Sequence, residues 1–275
     1  MLLSPVAKPP SGDGWAHEPK LDGWRAIVQV SGGKVHVWSR NGKDWSERIP
    51  ELKVLADRDA VIDGELVVVA PDGRADFHVL GARLSSRSLE PAVSLYAFDV
   101  LALDGDDLVD RPWRERRAVL DNLDLAGRSD GIVRTMLWSE DGAAMHVASD
   151  SIGAEGTTSK RLDSPYRPGR TRSWLKAKHK RSGEFQVVGW RPSSVARPGG
   201  LIIAERGEQI GTATISLPDA ERTAIVELLH RYGRLHPSGT VTIPDDCITA
   251  TVHYTSRTPT HGLLREAFVV SITPR

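Results

Sequence analysis

The chain has one cysteine in 275 residues, Cys247, so an intrachain disulfide framework is excluded. No Cys/His set has zinc spacing, and no two of the nine histidines repeat as HxxxH, which argues against a soft-metal site. A hard cation held by carboxylates stays open. Long apolar runs are also missing. No stretch reaches the 18 residues that a membrane helix needs, so a membrane-spanning protein is excluded and no membrane partner is expected. The opening "MLLSPVAKPPSGDGW" is too short in apolar residues for a signal peptide, and a cytoplasmic location follows, beside the nucleoid if the source is bacterial. Net charge is zero, with 36 basic and 36 acidic residues. That balance conceals a strong local excess.

From Lys160 to Arg181, "KRLDSPYRPGRTRSWLKAKHKR", nine Lys or Arg stand against one Asp. A solvated linker could carry such charge. Interleaved Tyr166 and Trp174, with Pro165 and Pro168 fixing the path, suit a phosphate-binding segment better.

Alternation in "AIVQVSGGKVHVW" around Ser-Gly-Gly predicts a hairpin. "RIPELKVLADRD" spaces Ile49, Leu52 and Leu55 for a short helix. "AVIDGELVVVA" reads as a buried strand broken at Asp63-Gly64, and "VSLYAFDVLAL" as another strand. Asp110 and Pro112 look like cap and first-turn residues of a helix over "PWRERRAVLDNL". Strands with intervening helices predict an α+β domain over residues 1–181. After it come short strands, "EFQVVGW", "GLIIAER", "QIGTATI" and "CITATVHYT". One amphipathic helix, "DAERTAIVELLHRYG", interrupts them, with Ile225, Leu228, Leu229 and Tyr232 on one face and Gly233 as its stop. That texture predicts a small OB-fold β-barrel over residues 182–275.

"HEPKLDGWR" places Lys20 among Glu18, Asp22 and Arg25. A nucleophilic lysine must be a neutral amine, which requires nearby cations or desolvation to lower its pKa, and Arg25 is a candidate cation. A phosphoryl group under attack also needs cations around its oxygens and carboxylates for Mg²⁺. In order, the chain offers "KLDGWR", "SRNGKD" with Arg40, "IDGELV" with Glu65, "YAFDV" with Phe98, "AEGTTSK" with Glu155 and Lys160, and "WLKAK" with Lys176 and Lys178. Each alone is a weak signal. Six in order resemble the covalent nucleotidyltransferase superfamily of ATP-dependent DNA ligases, RNA ligases and mRNA capping enzymes. "KRLDSPYRPGRTRSWLKAK" and "YTSRTPTHGLLREAF" are most similar to short bacterial ATP-dependent DNA ligases and the ligase domain of the bacterial end-joining ligase, and the resemblance covers nearly the whole chain.

The resemblance implies an adenylation domain followed by an OB-fold, with no accessory helical DNA-binding, polymerase or nuclease domain before Lys20. Lys20 would attack the α-phosphate of ATP and carry AMP. Glu18 would help hold adenine, mainly through its backbone, and Phe98 would stack on the base. Arg25 and Arg40 would contact ribose and phosphates, Lys176 and Lys178 the α-phosphate, and Asp22, Glu65 and Glu155 would serve Mg²⁺ (or Mn²⁺), Glu65 also the ribose. Arg161, Arg167, Arg170 and Arg172 would touch nucleic-acid phosphates. The implied substrate is nicked duplex DNA, handled by a monomer in DNA repair, with a repair polymerase or end-binding protein as an implied partner. An RNA ligase, a capping-type guanylyltransferase and a non-catalytic OB protein with a decayed nucleotidyltransferase domain are the alternatives. One position departs from the family: Thr157 and Thr158 stand where aliphatic residues usually follow Glu-Gly, one of them against adenine. Weaker ATP binding is the expected consequence.

Overall fold

In the computed structural model the chain divides into two compact units, Met1–Lys178 and His179–Arg275. The structure describes residues 1–192, 199–215, 217–236, 239–244 and 247–275.

Strands of the first unit are β1 (Leu2–Pro5), β2 (Trp15–Lys20), β3 (Trp24–Ser31), β4 (Lys34–Ser39), β5 (Ala60–Val67), β6 (Ser94–Leu103), β7 (Asp106–Asp107), β8 (Val133–Thr135), β9 (Gly156–Arg161) and β10 (Arg170–Lys178). They form two sheets. One runs β1-β10-β9-β2; the other runs β4-β3-β5-β6-β7, with β8 parallel to β6. Helices α1 (Phe77–Ser85) and α2 (Trp113–Asp121) bury Leu80 and Leu120 in the core of the second sheet, where Val28, Ile62, Leu95 and Val100 meet. A short α3 (Leu125–Arg128) also adds Leu125 to that core, while α4 (Gly142–Ser151) packs on β2 and β9.

The predicted hairpin is β3 and β4. Other expectations are corrected. "RIPELKVLADRD" forms two 3-10 stretches, Ser46–Arg48 and Pro50–Leu55, which still bury Leu52 and Leu55. Asp63-Gly64 does not end β5, which runs on to Val67, but the register with β6 shifts between these two residues, where Gly64 lets Leu95 and Tyr96 pass at distances that a Cβ would forbid. Asp110 does not cap α2: Pro112 holds the cap position, and Asp110 pairs with Arg167 at 2.5 Å. Helices α1 and α4 are additional, each capped by an aspartate, Asp76 and Asp141, that accepts two backbone N–H groups.

In the second unit the strands are β11 (Arg181–Arg191), β12 (Gly200–Glu205), β13 (Glu208–Thr214), β14 (Arg234–Leu235), β15 (Val241–Thr242), β16 (Ile248–Tyr254), β17 (Ser256–Arg257), β18 (Leu264–Arg265) and β19 (Phe268–Pro274). Pairings run β11–β12–β13–β19–β16 and return to β11, and α5 (Asp219–Tyr232) lies in sequence between the third and fourth of these five strands. This is an OB-fold-like arrangement. Ile225 and Leu229 of α5 are buried in its core beside Phe185, Leu201 and Val252.

Candidate active site

Lys20 ends β2 in one sheet and Trp24 opens β3 in the other, so "KLDGWR" lies where the chain changes sheets. The turn requires Gly23. A Cβ there would lie 2.2 Å from the Leu66 carbonyl oxygen and 2.9 Å from Glu65 Cγ. Opposite Lys20, β9 begins at Gly156, whose Cβ would lie 2.2 Å from the Ala177 carbonyl oxygen. These two close approaches bring carboxylates of β5 and the Glu155 corner, and the lysines of β10, to the end of β2.

Lys20 Nζ pairs with Glu155, and the other Glu155 oxygen takes Lys178. The Glu155 N–H donates to the Lys20 carbonyl at 2.8 Å, fixing the two residues in register. Burial opposes the Lys20 charge, yet Glu155, Glu65 and Asp22 outweigh it and hold the ammonium above its ordinary pKa. The sequence expectation ran the other way. Arg25 cannot depress Lys20, because its guanidinium is committed to Asp63, with Nε to Oδ1 at 2.9 Å and Nη2 to Oδ2 at 2.5 Å, and to the Tyr166 hydroxyl at 3.0 Å. Burial also raises Glu155, but Lys20 and Lys178 overcome it and keep the carboxyl below its ordinary value. Glu65 lacks such a tight partner and burial pushes it up to about 7, with Lys20 and Arg25 only partly opposing.

Beside Lys20 opens a cavity lined by Leu3, Phe98, Met136, Thr158 and Trp174. Phe98 lies on this wall and meets Trp174 edge to face at 6.1 Å. A buried ion network begins on the same wall. Lys160 Nζ lies 2.6 Å from Glu18 Oε2, donates to the Phe98 carbonyl at 3.2 Å, and sits 4.3 Å from the Phe98 ring centre and 4.4 Å from that of Trp174. Arg117 reaches the second Glu18 oxygen at 3.2 Å. Burial pushes Glu18 up and Lys160 down, each toward its uncharged form, and the partner's charge opposes it. Thr157 turns away, bonded to His146 Nδ1 at 2.9 Å and Ser149 at 3.1 Å, whereas Thr158 faces the cavity.

A wider cleft shares Leu3, Lys20, Arg25 and Glu65 with the cavity and adds Arg40, Lys43, Arg170 and Lys176. Arg40 and Arg170 are exposed. The basic segment is divided by the structure. Arg161 pairs with Asp163 at 3.3 Å and Arg167 with Asp110, so part of the charge is already neutralised. Arg170 faces the cleft and donates to the Leu3 carbonyl. Arg172 is exposed and makes no ion pair among the described residues.

Among the described residues no three carboxylate, imidazole or thiol groups converge on one point. Glu155, Glu65 and Asp22, the charges that act on Lys20, carry hard oxygens of the kind Mg²⁺ takes one or two at a time together with water and substrate phosphate. Met136, Arg117 and Leu3 carry no predicted role in the sequence, Lys160 is named there only as part of its motif, and Trp174 only as an aromatic of the basic segment, not of the cavity wall. Trp174 had a usable signal, since it alternates with Lys176 and Lys178 along β10. The others come from distant segments with no pattern linking them.

Residues 5–178 match the model of the ATP-dependent DNA ligase domain. The chain is similar to the multifunctional non-homologous end joining protein LigD of Pseudomonas aeruginosa, 36% identical over 228 residues, covering 80% of this chain and 26% of that protein. It is also similar to DNA ligase C1 of Mycolicibacterium smegmatis, 33% identical over 235 residues, 79% of this chain and 63% of that one. The chain thus spans about a quarter of the length of the end-joining relatives it matches. Among solved structures, a mycobacterial DNA ligase D complexed with ATP and MES superposes with a TM-score of 0.59 at 29% identity, covering 99% of this chain and 95% of the other.

Proposed function

The chain belongs to the ATP-dependent DNA ligase domain family, and from that premise we propose that it seals nicks between a 5′-phosphate and a 3′-hydroxyl in duplex DNA through a lysyl-AMP intermediate. The observation that carries this reading is a lysine, Lys20, standing where a cavity walled by Phe98 and Trp174 meets a cleft lined by Arg40, Lys43, Arg170 and Lys176. The aromatic lining of the first suits a nucleobase and the cations of the second a polyphosphate, which would place the α-phosphate beside Nζ.

Lys20 Nζ attacks the α-phosphorus; a P–N bond forms, the P–O bond to pyrophosphate breaks, and the ammonium proton must have left first. The 5′-phosphate oxygen of the nick then displaces Lys20, and the 3′-hydroxyl displaces AMP. Arg40, Lys43 and Lys176 offer charge to the departing phosphates. Glu18 and Lys160 present an acceptor and a donor at the cavity wall, suited to the polar edge of a purine. One or two of Glu155, Glu65 and Asp22 would hold the divalent cation together with substrate phosphate, and its positive charge would polarise the α-phosphate and offset the carboxylates that keep Lys20 protonated. Lys178, paired with Glu155, would hold that carboxylate in place.

Intact mass before and after incubation with ATP and Mg²⁺ tests nucleotide, covalency and competence together. An AMP adduct is expected. Its absence would sink the proposal in favour of a nucleic-acid-binding protein with an inactive nucleotidyltransferase domain, and a GMP adduct from GTP would indicate a capping-type enzyme. Sealing of RNA nicks in preference to DNA nicks would indicate an RNA ligase.

A further inference from the structure

The family's aliphatic wall after Glu-Gly is absent here, since Thr157 is bonded to α4 and Thr158 presents a hydroxyl within 3.5 Å of Glu18. An apolar residue from elsewhere stands at the cavity. Leu3, on β1, lines both the cavity and the cleft, so it borders the space on either side of Lys20.

Strand β1 is fastened for this position. The Leu2 N–H donates to the Gly169 carbonyl at 2.7 Å, the Ser4 hydroxyl to the Thr171 carbonyl at 2.8 Å, and the Val6 N–H to the Lys176 carbonyl at 3.0 Å. Its register with β10 jumps from Leu3↔Thr171 to Ser4↔Leu175. The skipped residues, 172–174, include Trp174, which enters the cavity. Two carbonyls of this segment also hold the cations of the site: Met1 accepts from Arg25, and Leu3 accepts from Arg170.

We infer that β1 is a nucleotide-binding strap: Leu3 supplies the aliphatic wall for the base or ribose of a purine nucleoside triphosphate, and the Leu3 carbonyl aims Arg170 at its phosphates. This rests on the nucleotide reading of the cavity. It places a determinant of ATP affinity well before the lysine motif, in a segment without a recognisable signature. It also explains how a chain with two threonines after Glu155-Gly156 can still hold its nucleotide between apolar groups.

The test compares wild type with Leu3→Ala and Leu3→Met in self-adenylation. Leu3→Ala is expected to raise the KM for ATP about tenfold, the order of effect of exposing most of one apolar side chain. Its kcat should stay within about twofold, since no reacting atom is touched, and its melting temperature without nucleotide should fall by only a few degrees, the cost of trimming a partly buried side chain packed against the cluster of Phe98, Met136 and Trp174. Leu3→Met, similar in volume, should recover the wild-type KM. Adenosine and inorganic tripolyphosphate, as competitive inhibitors, separate the two halves of the inference. The wall is supported if adenosine alone weakens against Leu3→Ala, and Arg170→Ala should weaken tripolyphosphate alone. An unchanged KM in Leu3→Ala, or loss of kcat with KM unchanged, overturns the strap. A wild-type protein that forms no AMP adduct defeats the functional reading instead, so the two failures are distinguishable.

Discussion

The aromatic cavity and the cationic cleft of the first unit share a border at Lys20 but are built on opposite electrostatic plans. At the cavity wall and beneath it the cations are fixed by counter-charges: Lys160 and Arg117 on Glu18, and Arg116 on Asp99 through two bonds of 2.7 Å, with Arg116 and Asp99 both fully buried. Along the cleft, Arg40 and Arg170 are exposed and no carboxylate partner is recorded for either among the described residues. A base brings little charge and needs a rigid, dry wall. Phosphates bring their own negative charge, so a cleft that receives them is better left electropositive. Lys20 sits at the boundary, charged by carboxylates on one side and facing open cations on the other.

The largest expected effect breaks this arrangement at the boundary. Lys20→Ala should abolish AMP attachment and sealing of an ordinary nick, yet leave a pre-adenylated nick partly joinable, because the lysine acts only in the first step. Equal loss on both substrates would make Lys20 structural. Next, Glu155→Ala removes the partner of both Lys20 and Lys178 and should lower adenylation about 10²–10³-fold with circular dichroism unchanged, the scale of losing one preorganised charge contact. Near-normal adenylation would remove Glu155 from the site.

The inner network should answer in stability rather than in rate alone. Lys160→Met leaves Glu18 buried with Arg117 as its remaining partner and should cost about 3 kcal/mol in urea unfolding, the lower end for a broken buried pair. Arg40→Ala, on the cleft, should stay within about 0.5 kcal/mol of wild type. Equal costs for the two variants would erase the contrast between cavity and cleft.

How much of this was legible in the sequence depends on distance along the chain. Lys20, Glu65, Glu155 and Lys176 belong to short motifs whose local chemistry is readable, and Gly23 and Gly156 within them are demanded by backbone contacts that the motif spacing conceals. Lys160 was visible within "AEGTTSK" but its role was not, because burial against Phe98 and Trp174 is a property of three strands together. The protonation of Lys20 was misjudged for a related reason. Sequence proximity put Arg25 beside it, whereas the fold turns Arg25 to Asp63 across β3 and β5 and puts Glu155, far along the chain, against the amine.

A smaller effect concerns pH. Burial raises Glu65 from an ordinary 4.5 to about 7 in the folded protein. The folded state therefore holds more protons than the unfolded one between those values, and its stability falls as pH rises through that window. In Glu65→Gln, without added metal, the fall in melting temperature from about pH 4.5 to 7 should be reduced relative to wild type. An identical pH profile would show that Glu65 is ionised throughout.

The smallest expected change lies in the basic segment, whose four arginines are no longer equivalent. Arg161 and Arg167 already face Asp163 and Asp110, and Arg170 is turned to the cleft, which leaves Arg172 as the cation best placed to meet a DNA phosphate. One phosphate contact releases condensed counterions, and log affinity then falls with log salt by about 0.9 per contact. Arg172→Ala should flatten the salt dependence of nicked-duplex binding by about that amount and leave self-adenylation unchanged. Arg167→Ala should flatten it less, because DNA must compete with Asp110 for that guanidinium. If both variants keep the wild-type slope, the segment carries charge without touching DNA, and the cleft stands as the site's sole phosphate-facing surface among the described residues.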